Sequence, residues 1–344
     1  MILSICIPTY NRPKHLLNCL NSLSLQGFKN FEVCISDNAS DKNIRKLISP
    51  FKKKLKIKFN RNKKNLGFAL NLLKVSSMAK GEFIWFIGDD DLLIKDSLKN
   101  LIKKITQNKD VDFFWVNSFY LDVSHLEKFP KPFNIKNLPN SMIPHSKLKK
   151  DRKTNFFGLI DKEVSFDYLL GIFVCVFRRK KWEKNLHVID RKKIKDKRTW
   201  SNFENTVFFI KVFTEAFSRS KAYICAKPLS VNLYGVREWL SLYPFVEIVR
   251  IPEALDFYRS KGLSFTKYIV NKNYALRNFF NFFVKILITG KKGGLAYVDF
   301  KRNFLYNLIY PNAWMSILYF LCRKLRKIII SIINTFNIKH DPRR

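Results

Sequence analysis

Residues 82–91, EFIWFIGDDD, join an apolar run to three consecutive aspartates at 89–91. A short run of aromatic and branched side chains is typical of a strand buried on both faces of a sheet. Two similar runs precede it, ILSICIP at 2–8 and FEVCIS at 31–36, and polar residues follow each of them. Because ligands bind beyond the carboxyl ends of parallel strands, the sequence predicts a site where these strand ends meet.

Helix-like stretches separate the apolar runs. Pro13 suits the first position of a helix, and leucines recur after it with helical spacing. Another helix is predicted over about 68–78, and LKIKF (55–59) and VDFFWV (111–116) are predicted to be further strands. This alternation predicts an α/β fold with a mostly parallel central sheet and flanking helices.

The charge balance is strongly positive. The 344 residues include 64 Lys+Arg and 27 Asp+Glu, a formal net charge of +37. Such a chain attracts anions, including nucleic acid, anionic lipid and phosphorylated substrates, although an Asn-, Ile- and Phe-rich composition also suggests coding bias. We find no zinc-finger spacing, RNA-recognition signature or clear helix-turn-helix, so nucleic acid is not the expected partner; a basic nucleic-acid-binding protein remains an alternative.

The cysteine pattern indicates a reducing compartment. The six cysteines occur singly inside apolar segments, without a CxxC pair or a Cys/His cluster. This predicts free thiols and a cytosolic location. The opening MILSICIP starts directly as a strand and lacks the basic and longer apolar parts of a signal peptide.

The last part of the chain is basic and apolar together. Residues 261–344 carry sixteen Lys/Arg against two aspartates, and 303–322 contain no charged residue. That segment is long enough to cross a bilayer, but asparagines and Pro311 lower its hydrophobicity, and RKLRK (323–327) follows it. We expect an in-plane or re-entrant element at an anionic membrane surface; the alternative is the core of a helical subdomain.

The aspartates Asp89, Asp90 and Asp91 are the predicted metal ligands. Three adjacent carboxylates repel one another, and a divalent cation lowers that cost. Mg²⁺ or Mn²⁺ takes hard oxygen ligands, commonly one or two carboxylates together with substrate phosphates. The alternative is a solvated loop in which an aspartate caps the next helix.

Polar residues at the other strand ends are candidates for binding a nucleotide. Asp37 could accept hydrogen bonds from a base or a ribose, or it could form an Asx turn. The segment 9–12 would bring backbone amides and the Arg12 guanidinium to a ligand, or it could simply cap the first helix. Gly67, two residues after Asn65, lets its loop approach a ligand closely, or it could belong to a turn leading into a helix.

Four motifs in order carry a family resemblance. SICIPTYNRPKHLLNCLNSL, FEVCISDNAS, NLGFALN and GEFIWFIGDDDLL resemble the start of a family 2 glycosyltransferase with the GT-A fold. Within that family the chain is similar to abequosyltransferase-like enzymes of bacterial O-antigen and lipopolysaccharide synthesis, and a weaker resemblance reaches about residue 235. The resemblance implies metal-dependent transfer of a sugar from a nucleotide-sugar donor to a hydroxyl of a lipid-diphosphate-linked saccharide.

The resemblance also assigns residues. It implies that Asp37 recognises the base and that Asp90 and Asp91 match the metal ligands of the family's DxD-type motif. Gly88 occupies the family's first acidic position, so Asp89 is expected to compensate. The predicted donor-binding set is Pro8, Thr9, Tyr10, Arg12, Asp37, Asn65, Gly67, Asp89 and Asp90.

The general base is less clearly indicated. In this family it is usually an acidic residue well downstream, in a Glu-Asp pair that this sequence lacks. Glu204 is the candidate base, although an acidic residue at a helix start is also favoured by the helix dipole. Other side chains considered, for proton transfer or for sugar stacking, are His187, Asp190, Asp196, Trp182 and Trp200. The missing pair leaves a non-catalytic nucleotide-binding protein as an alternative.

The predicted organisation has two parts. Residues 1–240 form the GT-A domain, with the nucleotide-sugar half at 1–120 and the acceptor half at 121–240, and residues 241–344 form a helical, basic, membrane-associating extension. The expected partners are a nucleotide-sugar donor, a lipid-linked saccharide acceptor and an anionic membrane surface. The expected location is the inner face of the bacterial cytoplasmic membrane.

Overall fold

The computed structural model describes residues 1–235 and 239–339. The strands in these ranges are β1 (Leu3–Thr9), β2 (Phe31–Asp37), β3 (Ile57–Arg61), β4 (Phe83–Phe86), β5 (Leu92–Leu93), β6 (Phe113–Asp122), β7 (Ile143–Pro144), β8 (Arg152–Asn155), β9 (Cys175–Arg178) and β10 (Lys221–Tyr234).

The helices in the same ranges are α1 (Pro13–Ser24), α2 (Ile44–Ile48), α3 (Phe68–Ser77), α4 (Ser97–Gln107), α5 (Ser124–Glu127), α6 (Arg179–Lys184), α7 (Glu204–Val207), α8 (Phe209–Phe217), α9 (Tyr243–Phe245), α10 (Ile251–Ser260), α11 (Phe265–Ala275), α12 (Phe279–Thr289), α13 (Phe300–Asn303) and α14 (Pro311–Lys339). In the described part of the chain, no helix combines the length and the apolar character needed to cross a membrane.

The strands form one sheet in the order β3-β2-β1-β4-β9-β6-β10-β5. The pairs β1–β2, β1–β4, β2–β3 and β6–β10 are parallel. β9 is antiparallel to both of its neighbours, β4 and β6, and β5 is antiparallel to β10. The α/β class is confirmed, and the sheet is mixed because β5 and β9 run antiparallel to their neighbours.

The sheet curls, because two strands that are close in sequence are far apart in strand order. Only residues 87–91 separate β4 from β5, yet β9, β6 and β10 lie between them in the sheet. The result is a half-barrel flanked by helices. The loop 87–91, which contains the three aspartates, therefore connects distant strands of this curled sheet.

Alternation along the strands divides the core between the two faces of the sheet. Ile5 and Ile7 of β1 share one buried cluster with Leu16 and Leu20 of α1. Strand residues of the opposite parity face the other side, where aromatic rings meet. Four ring pairs there have centroids 4.8–5.7 Å apart: Phe86–Phe177, Phe86–Trp182, Phe177–Trp182 and Phe177–Phe213.

Strand ends differ slightly from the sequence prediction. β3 is Ile57–Arg61 rather than 55–59, and β6 continues past the predicted end at 116 to Asp122. The extension was not expected because Asn117 and Ser118 interrupt the apolar run. Pairing with β10 carries β6 through these polar residues.

The chain divides into two compact units. The first comprises Met1–Trp239 with Phe257–Ser264, and the second comprises the remaining residues from Leu240 onward. The second unit is helical and has an aromatic core of its own. In that core the rings of Phe279, Phe283 and Phe304 pack together, with a closest centroid distance of 4.4 Å.

Candidate functional site

The ends of β1, β2 and β4 bring predicted site residues together. Thr9 ends β1 and pairs in register with Asp37, the last residue of the parallel strand β2. On the other side of β1, the chain leaving β4 brings Asp89 within reach, and Thr9 Oγ1 donates to Asp89 Oδ2 at 2.7 Å. Residues eighty positions apart in sequence therefore meet at one edge of the sheet.

Arg12 joins this cluster. Its Nη1 lies 3.6 Å from Asp89 Oδ1 and 3.6 Å from Asp90 Oδ2. Arg12 precedes α1 at the N-cap position but makes no side-chain capping hydrogen bond. The guanidinium therefore faces two carboxylates, and nucleotide binding by the segment 9–12 stays a prediction.

Asp89 is held in an electrostatically unfavourable place. Burial and then repulsion from Asp90 raise the pKa of Asp89 to about 7. Arg12 and hydrogen bonds from Thr9 and the Tyr10 amide oppose this rise without cancelling it. Protein groups alone thus leave the carboxylate under-stabilised, which a bound cation would correct.

Asp91 is oriented from two directions. Its Oδ2 accepts from the Gly88 amide at 2.5 Å, and its Oδ1 accepts from Asn232 Nδ2 at 2.8 Å. Asn232 lies on β10, 141 residues downstream. The sequence prediction missed this residue, because no motif marks a single asparagine in a strand.

Gly88 explains the departure from the family's acidic pattern. A Cβ atom at this position would collide with Asp90 Oδ1 and lie 3.2 Å from Asp91 Oδ2. Both carboxylates therefore face the space that a side chain at 88 would fill. An acidic residue at position 88 would displace the side chains of Asp90 and Asp91.

The described residues contain no group of three or more His, Cys, Asp or Glu side chains preassembled to hold a metal ion. The three aspartates are divided between different partners. Asp89 contacts Thr9 and Arg12, whereas Asp91 contacts Gly88 and Asn232. Of the three aspartates, Asp90 and Asp91 have oxygens beside the space that a Cβ atom at Gly88 would fill.

Asp37 is completely buried and fully engaged. Its Oδ1 accepts from the Ser40 amide at 3.0 Å, which is the Asx-type turn considered above, and Arg61 Nη1 lies 3.3 Å from its Oδ2. Arg61 also donates to the Ser40 carbonyl at 2.7 Å. Arg61 lines an open hollow of about 410 Å³ together with Asp41, Asn43 and Arg45. The sequence prediction did not include Arg61.

The loop 65–67 is tied to the end of β2 by amide groups. Asn38 donates to Asn65 Oδ1 at 2.9 Å and accepts from the Leu66 amide at 2.9 Å. Gly67 has φ +84°, which L side chains rarely adopt, and a Cβ there would lie 3.4 Å from Lys197 Cγ. The loop leads into α3, as its alternative interpretation stated, and the positive φ favours glycine at this position.

The other two residues predicted to bind the nucleotide-sugar donor, Pro8 and Tyr10, lie at the carboxyl end of β1. Pro8 is partly buried within β1, in register with Ser36 of β2. Tyr10 follows β1 and is 41% exposed, so its ring is available to a ligand at the edge of the sheet.

Glu204 starts α7 and is 2% exposed. One carboxylate oxygen pairs with Lys211, and among the described residues the other has no hydrogen-bond partner. A buried, ion-paired carboxylate is poorly placed to receive a proton from a bound substrate, so its role as base stays a prediction.

The other downstream candidates have ordinary surroundings. Asp190 and Asp196 form surface pairs with Lys193 and Arg198, and His187 is exposed and bonds the Lys184 carbonyl. The environments of the tryptophans favour packing over sugar stacking. Trp182 is fully buried in the aromatic core, and Trp200 is 4% exposed with its ring against Trp239.

Comparison with known proteins agrees with this geometry. Residues 4–167 match the family model described as Glycosyl transferase family 2. The chain is 40% identical over 115 residues to abequosyltransferase RfbV of Salmonella typhimurium, a match that covers 32% of this chain and 34% of that protein. It is also 27% identical to an uncharacterized glycosyltransferase of Methanocaldococcus jannaschii, covering 62% of this chain and 85% of that one.

Solved structures give the fold. Staphylococcus aureus TarS 1–349 in complex with UDP-GlcNAc aligns with a TM-score of 0.56 at 17% identity, over 90% of this chain and 80% of that chain. The likeness shows the GT-A fold. The matched segment of the abequosyltransferase is about a third of its length, so activity does not follow from that match alone.

Proposed function

We propose that this chain, whose residues 4–167 belong to glycosyl transferase family 2, is an enzyme that transfers a sugar from a nucleotide-sugar donor to a hydroxyl of a saccharide. The observation that carries the proposal is the cluster at the ends of β1 and β4. Thr9, Arg12 and Asp89 meet there within 2.7–3.6 Å, with a buried carboxylate whose pKa is raised to about 7.

A divalent metal ion, Mg²⁺ or Mn²⁺, is the proposed cofactor. Asp90 and Asp91 would hold it, because their oxygens converge beside Gly88, and Asp89 would add negative charge next to them. Mg²⁺ commonly takes one or two protein carboxylates and completes its shell with phosphate oxygens and water. When bound, the ion would stabilise the charge of the departing diphosphate.

The protein's own groups would hold the nucleotide. Tyr10 offers an exposed ring to a base, and Arg12 lies at the start of α1, where backbone amides favour phosphate. The exposed Arg61 lines the 410 Å³ hollow and pairs with the buried Asp37 carboxylate, on the side that would receive the base and ribose. Asn65 and Gly67 shape the neighbouring loop, and Pro8, Thr9, Asp89 and Asp90 complete the proposed set.

Glu204 is the candidate general base that the sequence predicts. For it to act, Lys211 would have to release the carboxylate when the acceptor binds. A non-catalytic nucleotide-binding protein is the second candidate function, and the burial and pairing of Glu204 favour it.

The test is nucleoside diphosphate release from a panel of UDP-, GDP-, CDP- and dTDP-sugars with Mn²⁺ or Mg²⁺. Lipid-diphosphate-linked saccharides would serve as acceptors. We expect one donor to be turned over, and turnover to stop with EDTA and return with added metal. Nucleotide binding without turnover across the panel would instead establish the non-catalytic alternative.

We also propose that the second unit binds an anionic membrane surface. Between 311 and 326, α14 exposes a series of large apolar side chains and three basic ones. They are Trp314, Met315, Leu318, Tyr319, Leu321 and Leu325, with Arg323, Lys324 and Arg326. Exposed apolar patches with basic neighbours are typical of helices that lie in a membrane interface.

A hollow between α12 and α14 fits an anionic headgroup. Its volume is about 250 Å³, and Val284, Ile288 and Phe320 contribute apolar walls, whereas Lys285, Arg323 and Lys324 contribute positive charge. Attachment there would keep the enzyme at the inner face of the bacterial cytoplasmic membrane. A lipid-linked acceptor of surface polysaccharide or lipopolysaccharide synthesis is found at that face.

Vesicle co-sedimentation tests this attachment. Replacing Lys285, Arg323 and Lys324 by glutamine should weaken binding to vesicles with anionic lipid about 100-fold, since each basic residue contributes about 1 kcal/mol near such a surface. The control replaces Lys52, Lys53 and Lys54, which are exposed on the first unit, and makes the same change in charge. Equal loss in both variants, or no loss in either, would contradict the proposed face.

A further inference from the structure

One face of the β6–β10 pair is polar. On the opposite face, Phe119 of β6 and Val231 and Leu233 of β10 pack into an apolar cluster. Because side chains alternate along a strand, Ser118, Tyr120, Ser230 and Asn232 share the other face. Polar residues at every second position of two paired strands indicate a surface that contacts something other than the core.

This polar face adjoins the acidic loop. Asn232 donates to Asp91, and Asn232 pairs in register with Tyr120 on the neighbouring strand. Neighbouring strands lie about 4.8 Å apart, so Tyr120 is one strand away from the side chain that orients Asp91. Ser230, on the same face, has a buried hydroxyl that finds no hydrogen-bond partner among the described residues. Such a group is expected where a ligand or water binds.

A line of hydrogen bonds runs from Tyr120 into the interior. Its phenol oxygen contacts His145 Nδ1, and His145 Nε2 lies 2.8 Å from Ser165 Oγ. Ser165 Oγ in turn donates to Asp167 Oδ1, and the Gly171 amide donates to Asp167 Oδ2 at 3.0 Å. His145 and Ser165 thus connect the phenol of the partly exposed Tyr120 to the carboxylate of Asp167.

The direction of each bond follows from the carboxylate. Ser165 Oγ and the Gly171 amide donate to the two oxygens of Asp167, which accept as an ionised carboxylate must. Because the Ser165 proton is committed to Asp167, His145 Nε2 donates to Ser165. In a neutral imidazole, Nδ1 is then left to accept the phenol proton of Tyr120.

The surroundings keep this arrangement in place. The His145 side chain is 1% exposed and is packed by the rings of Trp115, Phe166 and Phe173. The imidazole is therefore shielded from bulk water, and its nitrogens contact Tyr120 and Ser165. Asp167 Oδ2 lies 3.7 Å from His145 Nε2, close enough to stabilise an imidazolium.

We propose that Tyr120 is the group that accepts the proton of the acceptor hydroxyl, with His145, Ser165 and Asp167 as its positioning residues. This inference rests on the proposed transferase function. The acceptor oxygen bonds to the anomeric carbon of the donor sugar as its O–H bond breaks. The bond from that carbon to the diphosphate oxygen breaks, and its electron pair leaves with the nucleoside diphosphate.

The proton that the acceptor loses is accounted for by two transfers within the protein. The acceptor proton moves to the Tyr120 oxygen while the phenol's own proton moves to His145 Nδ1. The resulting imidazolium faces the Asp167 carboxylate, and the proton returns to solvent after the product leaves. This path needs no release of Glu204 from Lys211, and it gives a proton acceptor to a chain that lacks the family's Glu-Asp pair.

The kinetic test is Tyr120→Phe, which removes only the hydroxyl. We expect kcat to fall about 100-fold, the lower end of the usual contribution of a general base, with the donor KM unchanged. Asp167→Asn should lower kcat less, again without a change in donor KM. Tyr223→Phe is the matched control, because it also removes a tyrosine hydroxyl from this strand pair, one that bonds Asp151.

The outcomes separate the two proposals. A Tyr120→Phe enzyme within threefold of wild type, in a protein whose turnover depends on Asp91, would overturn the relay and leave the transferase function standing. A Glu204→Gln enzyme that loses more activity than Tyr120→Phe would also overturn it. Absence of turnover in wild type would contradict the transferase function instead.

A second measurement does not need turnover. The five histidines can be labelled with ¹⁵N, and the signal of His145 assigned by its loss in His145→Gln. The relay requires a neutral His145 with the proton on Nε2, and Tyr120→Phe should shift the Nδ1 resonance. A proton on Nδ1, or an Nδ1 resonance that does not respond to Tyr120→Phe, would overturn the inference.

Discussion

At the amino end of β1 and β2, Glu32 is fully buried, yet each of its oxygens has a partner. Oε1 accepts from Ser4 Oγ and the Lys80 amide, both at 2.7 Å, and Lys58 Nζ lies 2.7 Å from Oε2. Burial alone would raise the pKa of Glu32, but bonds from Lys58, Ser4 and Lys80 lower it below its ordinary value. At the carboxyl end of the same sheet, the pKa of Asp89 is raised to about 7.

The difference separates a carboxylate that the protein compensates from one that we propose takes part in binding. Near the amino ends of the strands, the chain supplies the counter-charge and the donors that one carboxylate needs. Near the carboxyl ends, Asp89 and Asp90 share Arg12 at 3.6 Å, and Asp91 adds a third negative charge. Buried charge that the protein leaves uncompensated is expected where a ligand completes the balance.

The largest expected effect is loss of activity in Asp91→Ala. If the carboxyl ends of the strands form the binding edge, this change should lower metal-dependent turnover about 1000-fold, equivalent to about 4 kcal/mol of transition-state stabilisation. Nucleoside diphosphate release measures it, and the melting temperature checks that the protein still folds. Turnover within tenfold of wild type would remove Asp91 from the proposed metal site.

Two glycines that flank β4 sharpen the contrast. At Gly81, near the amino end, a Cβ would lie 2.6 Å from the Ser4 amide nitrogen and 2.7 Å from the Leu3 carbonyl carbon, so backbone would have to move. Gly81→Ala should therefore cost about 3 kcal/mol in the free energy of unfolding. At Gly88 the Cβ would meet the flexible Asp90 side chain instead.

Gly88→Ala should consequently cost less than about 1 kcal/mol in stability but weaken Mn²⁺-dependent nucleoside diphosphate binding about tenfold. Urea unfolding and isothermal titration calorimetry give the two numbers for each variant. The contrast would be contradicted if Gly81→Ala weakened nucleoside diphosphate binding more than it lowered stability. It would also be contradicted if Gly88→Ala lowered stability more than it weakened that binding.

A smaller effect is expected from Glu32→Gln. Removing this charge leaves Lys58 without its carboxylate and weakens the bonds to Ser4 and Lys80, which should cost about 2 kcal/mol in the free energy of unfolding. Turnover of the folded protein should stay within twofold of wild type. Loss of activity at temperatures where the variant is folded would show that both ends of the sheet serve catalysis.

The pH dependence of stability gives the smallest effect. Because the folded pKa of Glu32 is lowered, its stabilisation is fully present above the unfolded value, about 4.3, and is lost as pH falls through the folded value. The difference in unfolding free energy between wild type and Glu32→Gln should be constant above about pH 5.5 and shrink below pH 4. A difference that grows on acidification would contradict the assigned sign.

The sequence predicted the parts of the site that lie near strand ends. Each apolar run of the first hundred residues ends in a polar cluster, and parallel pairing puts Thr9, Asp37 and Asp89 at one edge. Asn232, Arg61 and the Tyr120–His145 contact were not predictable in this way. Their positions depend on which distant strands pair and in which register, and a single sequence does not specify either.

Glu204 illustrates a different limit. Its place at a helix start could be read from the pattern, and α7 does begin there. Its burial and its pairing with Lys211, seven residues later, depend on how the helix packs, so a sequence pattern does not indicate that the carboxylate is ion-paired.

The curl of the sheet has a consequence for engineered variants of this chain. Residues 87–91 connect β4 to β5, which three intervening strands separate in the sheet, and these residues also include the proposed metal ligands. An insertion in this loop would therefore disturb the connection between β4 and β5 as well as the proposed metal ligands. Libraries designed to change donor preference should therefore keep the length of 87–91 fixed and vary the rim around Arg61 instead.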